Sequence, residues 1–251
     1  MKNNYELRCR RFLPRRSYVI VRVDGRSFHT WTRGLEKPYD KHLLDAMDAT
    51  ALELCGQVAG CKLGYVQSDE ISLVLTDFDT IETEAWFDNC QNKLESITAS
   101  IATMAFNLHI VSTRDARTDA CLNDPGSVPE LYRRCPDATF DSRAFVIPDY
   151  VEVENYLIDR QKDAMRNSVT MLASKYASHK KLNGVTLTDR LALIKAAGDN
   201  WDKHSVRFKQ GGVVYNTGGE WVVSEEPKPF TKNREWLRLV IPRHWEEEPA
   251  A

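Results

Sequence analysis

Apolar positions along the chain recur with two different periods, and the alternation between them outlines the fold. Residues 17 to 23, Ser-Tyr-Val-Ile-Val-Arg-Val, are rich in β-branched side chains and stop at Asp24-Gly25, which reads as a strand. Leu44, Met47, Ala51, Leu54 and Val58 then step by three and four, with Asp40 in the N-cap position and Gly60 closing the helix. Residues 62 to 67 and 70 to 76 are apolar runs, and Gln67-Ser68-Asp69-Glu70 between them reads as a hairpin turn. A second helical stripe follows, with Phe87, Cys90, Leu94, Ile97, Ile101, Met104 and Leu108 expected on one buried face. The polar stretch from 113 to 138 reads as a long loop, and Ala144 to Pro148 as a strand preceded by Phe140-Asp-Ser-Arg143. A long helix then runs to about Ser178, burying Val153, Leu157, Ala164, Ser168 and Leu172. Arg160, Asp163 and Asn167 share another of its faces. Short helical pieces, a hairpin-like segment from Gly211 to Val223 and a Trp- and Pro-containing tail with an acidic cluster complete the chain.

Strand, helix, strand, strand, helix, strand is the order of the split β-α-β, or ferredoxin-like, α+β fold. Its third strand inserts antiparallel between the first two. The end of the first strand then lies beside the start of the third, and those ends carry Asp24 and Asp69. The expected organisation is a palm-like catalytic domain over 1–178 with an antiparallel sheet and a long helix. A small C-terminal extension, 179–251, would pack on it.

Composition narrows the partners. A chain of 251 residues with 42% hydrophobic and 28% charged residues is an ordinary globular protein. Its net charge of −2 means that any nucleic acid would be held by a local basic patch. The six cysteines (Cys9, Cys55, Cys61, Cys90, Cys121, Cys135) form no Cys-x-x-Cys pair, so reduced thiols are expected rather than a zinc site or a disulfide framework. No signal-like apolar stretch follows Met1, and no run approaches the eighteen or so apolar residues of a membrane span. A cytoplasmic protein with no membrane partner is the expectation.

Taken singly, Asp24-Gly25 and Ser68-Asp69 are turn formers. Converging at one sheet edge, two carboxylates and a glycine carbonyl become the hard oxygen donors that Mg²⁺ prefers. Glu70, the next residue along the chain, is expected on the opposite face from Asp69 in a supporting or structural role. Arg26, Ser27, Phe28 and His29 follow the glycine, where backbone N–H groups can meet a phosphate chain. Phe28 reads slightly better as a core anchor. Lys37, before Pro38, sits on an exposed extended piece between the two site elements, and Lys93 lies just off the second helical stripe. Arg8, Arg10, Arg11, Arg15 and Arg16 form either a solvated arm or a phosphate contact.

Val23-Asp-Gly-Arg-Ser-Phe-His29, Lys37-Pro-Tyr-Asp40, Gly64-Tyr-Val-Gln-Ser-Asp-Glu70, Phe140-Asp-Ser-Arg143 and the stretch from Tyr156 to Asn167 together resemble the tRNA(His) guanylyltransferase family. The resemblance implies a polymerase-like palm that uses two Mg²⁺ ions to add nucleotides 3′-to-5′ at the 5′ end of tRNA, with GTP, ATP and other NTPs as substrates and a tetrameric assembly. It implies that Asp24 and Asp69 are catalytic metal ligands, with the Gly25 carbonyl. It further implies nucleotide contacts from Asp24 to His29 and at Lys37, Ser68, Asp69 and Asn167, and RNA 5′-end or phosphate contacts at Lys93 and Arg143. Members specific for tRNA(His) carry His-Ile-Asn-Asn where this chain has Met165-Arg166-Asn167-Ser168, and a basic residue of theirs falls at Cys90. The chain thus resembles more the guanylyltransferase-like proteins of bacteria, archaea and phages, whose task is templated repair of truncated tRNA 5′ ends. Two other classes compete: a nucleotide cyclase-like palm, marked by cyclic nucleotide formation without RNA, and an RNA-binding module with an inactive palm, marked by Mg²⁺-independent binding without turnover.

Overall fold

The computed structural model describes residues 1–120, 128–224 and 226–244, with side chains omitted over 116–120. Its six strands are β1 (Tyr18–Gly25), β2 (Cys61–Gln67), β3 (Glu70–Leu75), β4 (Phe140–Ile147), β5 (Gly212–Thr217) and β6 (Glu220–Ser224). They form one sheet in the order β4-β1-β3-β2-β5-β6, and every neighbouring pair is antiparallel. The helices are α1 (Phe28–Trp31), α2 (Lys41–Gln57), α3 (Gln91–Ala120), α4 (Glu130–Arg133), α5 (Tyr150–Tyr176), α6 (His179–Leu182), α7 (Leu187–Ala196), α8 (Val206–Gln210) and α9 (Arg234–Val240). The βαββαβ palm is therefore β1-α2-β2-β3-α3-β4, with β3 between β1 and β2, as the order of elements requires.

Alternation along the strands sorts the core into two layers. Val19, Val21, Val23, Ile71 and Leu73 face α2 and α3, while Tyr18, Ile20, Tyr65 and Val74 face α5. The N-caps follow local chemistry. The Asp40 carboxylate accepts from the amides of His42 and Leu43, and Asp149 caps α5 by accepting from Glu152. The five apolar and small residues expected inside α5 are all buried: Val153, Leu157, Ala164, Ser168 and Leu172.

Four expectations need correcting. The loop expected over 113–138 is shorter, because α3 continues to Ala120 and α4 follows; Cys121 lies outside the described residues, as does the acidic cluster at 246–248. β4 begins at Phe140 rather than Ala144, so Asp141 and Arg143 sit inside the ladder, and Asp141 pairs in register with Asp24. The α3 stripe is also rotated: Leu94, Thr98, Ile101, Ala102, Phe106 and Ile110 are buried, whereas Phe87, Ile97, Met104 and Leu108 are exposed. Small and polar Thr98 and Ala102 occupy the inner face because α3 lies close to β4, where the Thr98 and Ser142 hydroxyls hydrogen-bond at 2.8 Å. Over Gln91–Asp115 this helix is long and apolar enough to cross a membrane by length and composition, with a mean hydropathy of 1.2, so the expectation of no such run was too strong. Its charged Lys93, Glu95, Arg114 and Asp115 and its packing on the sheet make it a helix of the palm.

The segment after α5 is tied into the same sheet. β5 pairs with β2, with Val66 opposite Gly212, and the Tyr65 hydroxyl donates to the Gln210 carbonyl at 2.7 Å. Gly211 makes this approach feasible: its φ is +80°, and a Cβ there would lie 2.5 Å from the Val66 carbonyl oxygen.

Candidate active site

The ends of β1 and β3 meet where the topology brings them. The Gly25 amide donates to the Asp69 carbonyl at 3.1 Å, and Asp24 stands opposite Glu70 in the ladder. Asp24 follows buried Val23 and so projects toward the α5 face, as do its register partners Glu70 and Asp141 on either side. Burial pushes the Asp24 carboxyl up to about 6, reinforced by the negative charges of Asp69, Glu70 and Asp141 and opposed by Arg22. Asp69 is also raised by burial, while the Ser68 hydroxyl, its own amide and the charge of His29 pull the other way.

Both flanking turns hold a serine in the left-handed region, Ser27 at φ 55° and Ser68 at φ 48°. Such backbone costs on the order of 1–3 kcal/mol per residue and concentrates where a ligand is held. The amides of Gly25 and Arg26 are engaged by Asp69 and Thr139, whereas those of Ser27, Phe28 and His29 meet no backbone carbonyl among the described residues. Gly25 is needed because the Phe28 ring lies on it, 2.4 Å from where a Cβ would stand. That ring is 3% exposed and packs against Trp31, Phe106 and Phe140. Phe28 is therefore a core anchor that also borders the cleft beside it.

A cleft of about 370 Å³ opens beside the pair, lined by His29, Lys37, Tyr39, Ser68, Asp69 and Met171. It shares Tyr39, Ser68 and Met171 with a tighter recess that adds Gln67, Asn167, Arg207 and Phe208. Lys37 stands exposed before the cis-bonded Pro38. Of the expected set, Phe28, His29, Lys37, Ser68 and Asp69 line the cleft and Asn167 lines the adjoining recess, while Asp24 and Gly25 stand at the strand end joined to Asp69, with Ser27 in the turn that follows. Arg26 is exposed at the rim, and Arg143 lies on the Asp24 face of β4, 3.7 Å from Asp141. Lys93 does not join them. Thr103 of α3 is level with the Gly25–Phe140 pair, and Lys93 is ten residues earlier, roughly 15 Å along the helix. Of the N-terminal arginines, Arg15 is committed to Asp77 at 2.9 Å and Asp88 at 3.0 Å.

Three features of the site escaped the sequence. Asp141 was hidden by starting β4 too late; the alternation of Phe140, Ser142 and Ala144 with Asp141 and Arg143 would have shown it. Glu70 shares the Asp24 face of the ladder and lies 3.5 Å from Arg160 of α5, a place beside the first aspartate that its expected orientation relative to Asp69 does not specify. Phe208 and Arg207 arrive from the C-terminal extension, with Phe208 stacked 4.4 Å from Tyr39. No local signal announces a contact between residues so distant in sequence.

Among the described residues no group of three or more His, Cys, Asp or Glu side chains forms a metal cage. Two carboxylates beside a backbone carbonyl leave most coordination positions to water and phosphate oxygens, which suits Mg²⁺. The model of the family described as tRNAHis guanylyltransferase (Thg1) matches residues 1–148, more than half of the chain and every strand of the palm. The chain belongs to the tRNAHis guanylyltransferase family. It is a nucleotidyltransferase of that family, on a palm of the same fold. The tRNA(His) guanylyltransferase of Schizosaccharomyces pombe is 27% identical over 248 residues, spanning 96% of this chain and 80% of the relative. A solved bacterial tRNA(His) guanylyltransferase (Thg1)-like protein in complex with ATP is 36% identical, with a TM-score of 0.81 over 96% of this chain and 97% of that one. A bacterial Thg1-like protein in complex with GTP is 34% identical, with a TM-score of 0.70 over 93% of each chain.

Proposed function

We propose that the chain extends the 5′ end of tRNA in the 3′-to-5′ direction and that its task is templated repair of truncated 5′ ends. Asp24 and Asp69, with the Gly25 carbonyl, would hold two Mg²⁺ ions. When bound, the ions lower the pKa of the attacking hydroxyl and neutralise charge on the leaving phosphates. The chain's own residues supply the rest. The amides of Ser27, Phe28 and His29 donate to the triphosphate, with His29, Lys37 and Ser68 along the cleft and Asn167 in its recess. Arg26 at the rim and Arg143 beside Asp141 offer cations to the RNA 5′ phosphate. The incoming nucleotide's 3′-hydroxyl attacks that activated 5′ phosphorus, and pyrophosphate or AMP departs.

The observation that carries the repair reading is the state of Ser168. It stands where tRNA(His)-specific members have their second asparagine, and here it is 1% exposed. Its hydroxyl accepts from the Trp201 indole at 2.9 Å and donates to the Met165 carbonyl at 2.8 Å. The position is spent on packing α5 against the C-terminal extension, which removes a side chain from recognition. The test supplies tRNAs lacking the first 5′ nucleotide, with each labelled NTP in turn. Restoration of the Watson–Crick match alone supports repair. Addition of G whatever the opposite base, confined to tRNA(His), would overturn it in favour of a dedicated guanylyltransferase.

A further inference from the structure

Phe28, Tyr39 and Phe208 stand at or behind the cleft beside the aspartate pair, and their rings are committed to different degrees. The Phe28 ring is occupied by Trp31, Phe106 and Phe140. Phe208 is buried behind the cleft, in the wall of the tighter recess. Tyr39 is half-buried and lines both cleft and recess, so its ring stands between them. Phe208 takes one face of that ring at 4.4 Å with 24° between planes, and the His204 imidazole meets it edge-on at 6.2 Å. The backbone around Tyr39 is braced as well. The Asp40 carboxylate accepts from the Glu36 amide at 3.3 Å and from the His42 and Leu43 amides at 2.9 and 3.2 Å, which ties this segment to the start of α2. Behind the ring, the Phe208 amide donates to the Ser205 hydroxyl at 3.2 Å, and the Arg207–Asp48 pair pins the same turn. A ring held in this way loses little further freedom when a flat ligand lies on it.

The lining of the cleft divides by chemistry. His29, Lys37, Ser68 and Asp69 are polar, whereas Leu35, Pro38, Leu43 and Met171 share an apolar character with Tyr39. The recess holds only about 50 Å³, room for a few waters and not for a base, so a base stays in the cleft. A third cavity, of about 540 Å³, also touches Tyr39, but paired charges such as Lys41 with Asp45 and Arg207 with Asp48 line it, and neither Ser68 nor Asp69 does. On the reading of the chain as a templated 5′-end polymerase, on which this inference rests, the incoming base is to be held without being read. We propose that Tyr39, backed by Phe208, is the platform on which the base of the incoming nucleotide stacks, and that it holds all four bases alike. Every base has a π face, so stacking tolerates any of them, whereas a hydrogen bond to a base edge selects one. Choice among the four is then left to the tRNA strand opposite.

The full chain, without tRNA, is titrated against 2-aminopurine riboside 5′-triphosphate, a base analogue whose fluorescence is quenched on stacking. The wild type is expected to quench it, and Tyr39→Phe to quench it as well. Tyr39→Ala should lose the quenching and bind ATP, GTP, CTP and UTP each about tenfold more weakly. Inorganic tripolyphosphate, which has no base, should bind the wild type and Tyr39→Ala with the same affinity, because the phosphate contacts are untouched. An unquenched wild type, quenching that survives Tyr39→Ala, a weakening that extends equally to tripolyphosphate, or one confined to a single base would overturn the platform. Binding is read here without RNA. A chain that stacks all four bases on Tyr39 yet fails to mend truncated tRNA would end the repair reading and leave the platform standing.

Discussion

Two groups of buried charge flank the β2–β3 turn, and they are built in opposite ways. On the side of the C-terminal extension, the Arg207 guanidinium is 4% exposed and donates to both Asp48 oxygens, with Nε at 3.1 and 3.0 Å and Nη2 at 2.6 Å. Its Nη1 reaches the Val66 carbonyl at 3.5 Å, one residue before Gln67-Ser68-Asp69. On the other side, Asp24 faces Asp69, Glu70 and Asp141 with Arg22 as the opposing charge, and its carboxyl sits at about 6. A matched buried pair holds elements together, whereas a surplus of one sign marks a place that awaits a ligand of the other.

The sharpest way to break this contrast is to remove the surplus. Asp24→Ala or Asp69→Ala should lower nucleotide addition at least about a thousand-fold, the equivalent of several kcal/mol of lost charge stabilisation, without loss of secondary structure. Full activity in both variants would end the assignment of the pair. Cutting the matched pair should act on stability instead. Arg207→Ala strands Asp48 and should cost about 3 kcal/mol in denaturant unfolding, with Asp48→Ala similar. If either variant unfolded like the wild type, the extension would not be holding the turn.

A subtler test separates the two by sign. Asp24 binds its proton more tightly in the folded chain than its ordinary 3.8, so between pH 4 and about 6 the native state holds more protons than the unfolded one. Without divalent cations, stability should therefore fall as pH rises through that window and level off above it. Asp24→Asn should reduce this slope, leaving the part that comes from Asp69, and gain roughly 1 kcal/mol at pH 7.5, after allowing for solvent screening. Mg²⁺ should raise the melting temperature of the wild type and not of Asp24→Asn. A third charge group should respond least. Glu154 is 2% exposed between half-exposed Arg234 at 3.5 Å and Arg238 at 3.8 Å. Arg238→Ala should cost under about 1 kcal/mol, because the second arginine remains.

Much of this was legible in the chain. The β-branched run ending at Asp24, the Asp40 cap and the short turn at Ser68 are local signals, and the order of elements sufficed to make Asp24 and Asp69 neighbours. Where local signals were weak, the reading slipped. β4 was started late because Asp141 and Arg143 break its apolar run, although on a strand they merely occupy the alternate face. The α3 stripe was misplaced because Ile97, Met104 and Leu108 are as apolar as any core residue. Periodicity finds an apolar face but does not say whether the sheet covers it.

By itself, the sequence determined the palm topology, the carboxylate pair and the turns beside it, because each depends on neighbours a few residues away or on the order of strands. Only the tertiary structure decided which face of α3 is buried, that Asp141 joins the negative cluster, and that Arg207 and Phe208 close the cleft from the far end of the chain. Those facts rest on contacts between segments far apart in the chain, with Asp48 and Arg207 separated by 159 residues and Tyr39 and Phe208 by still more, and no local pattern encodes such a pairing.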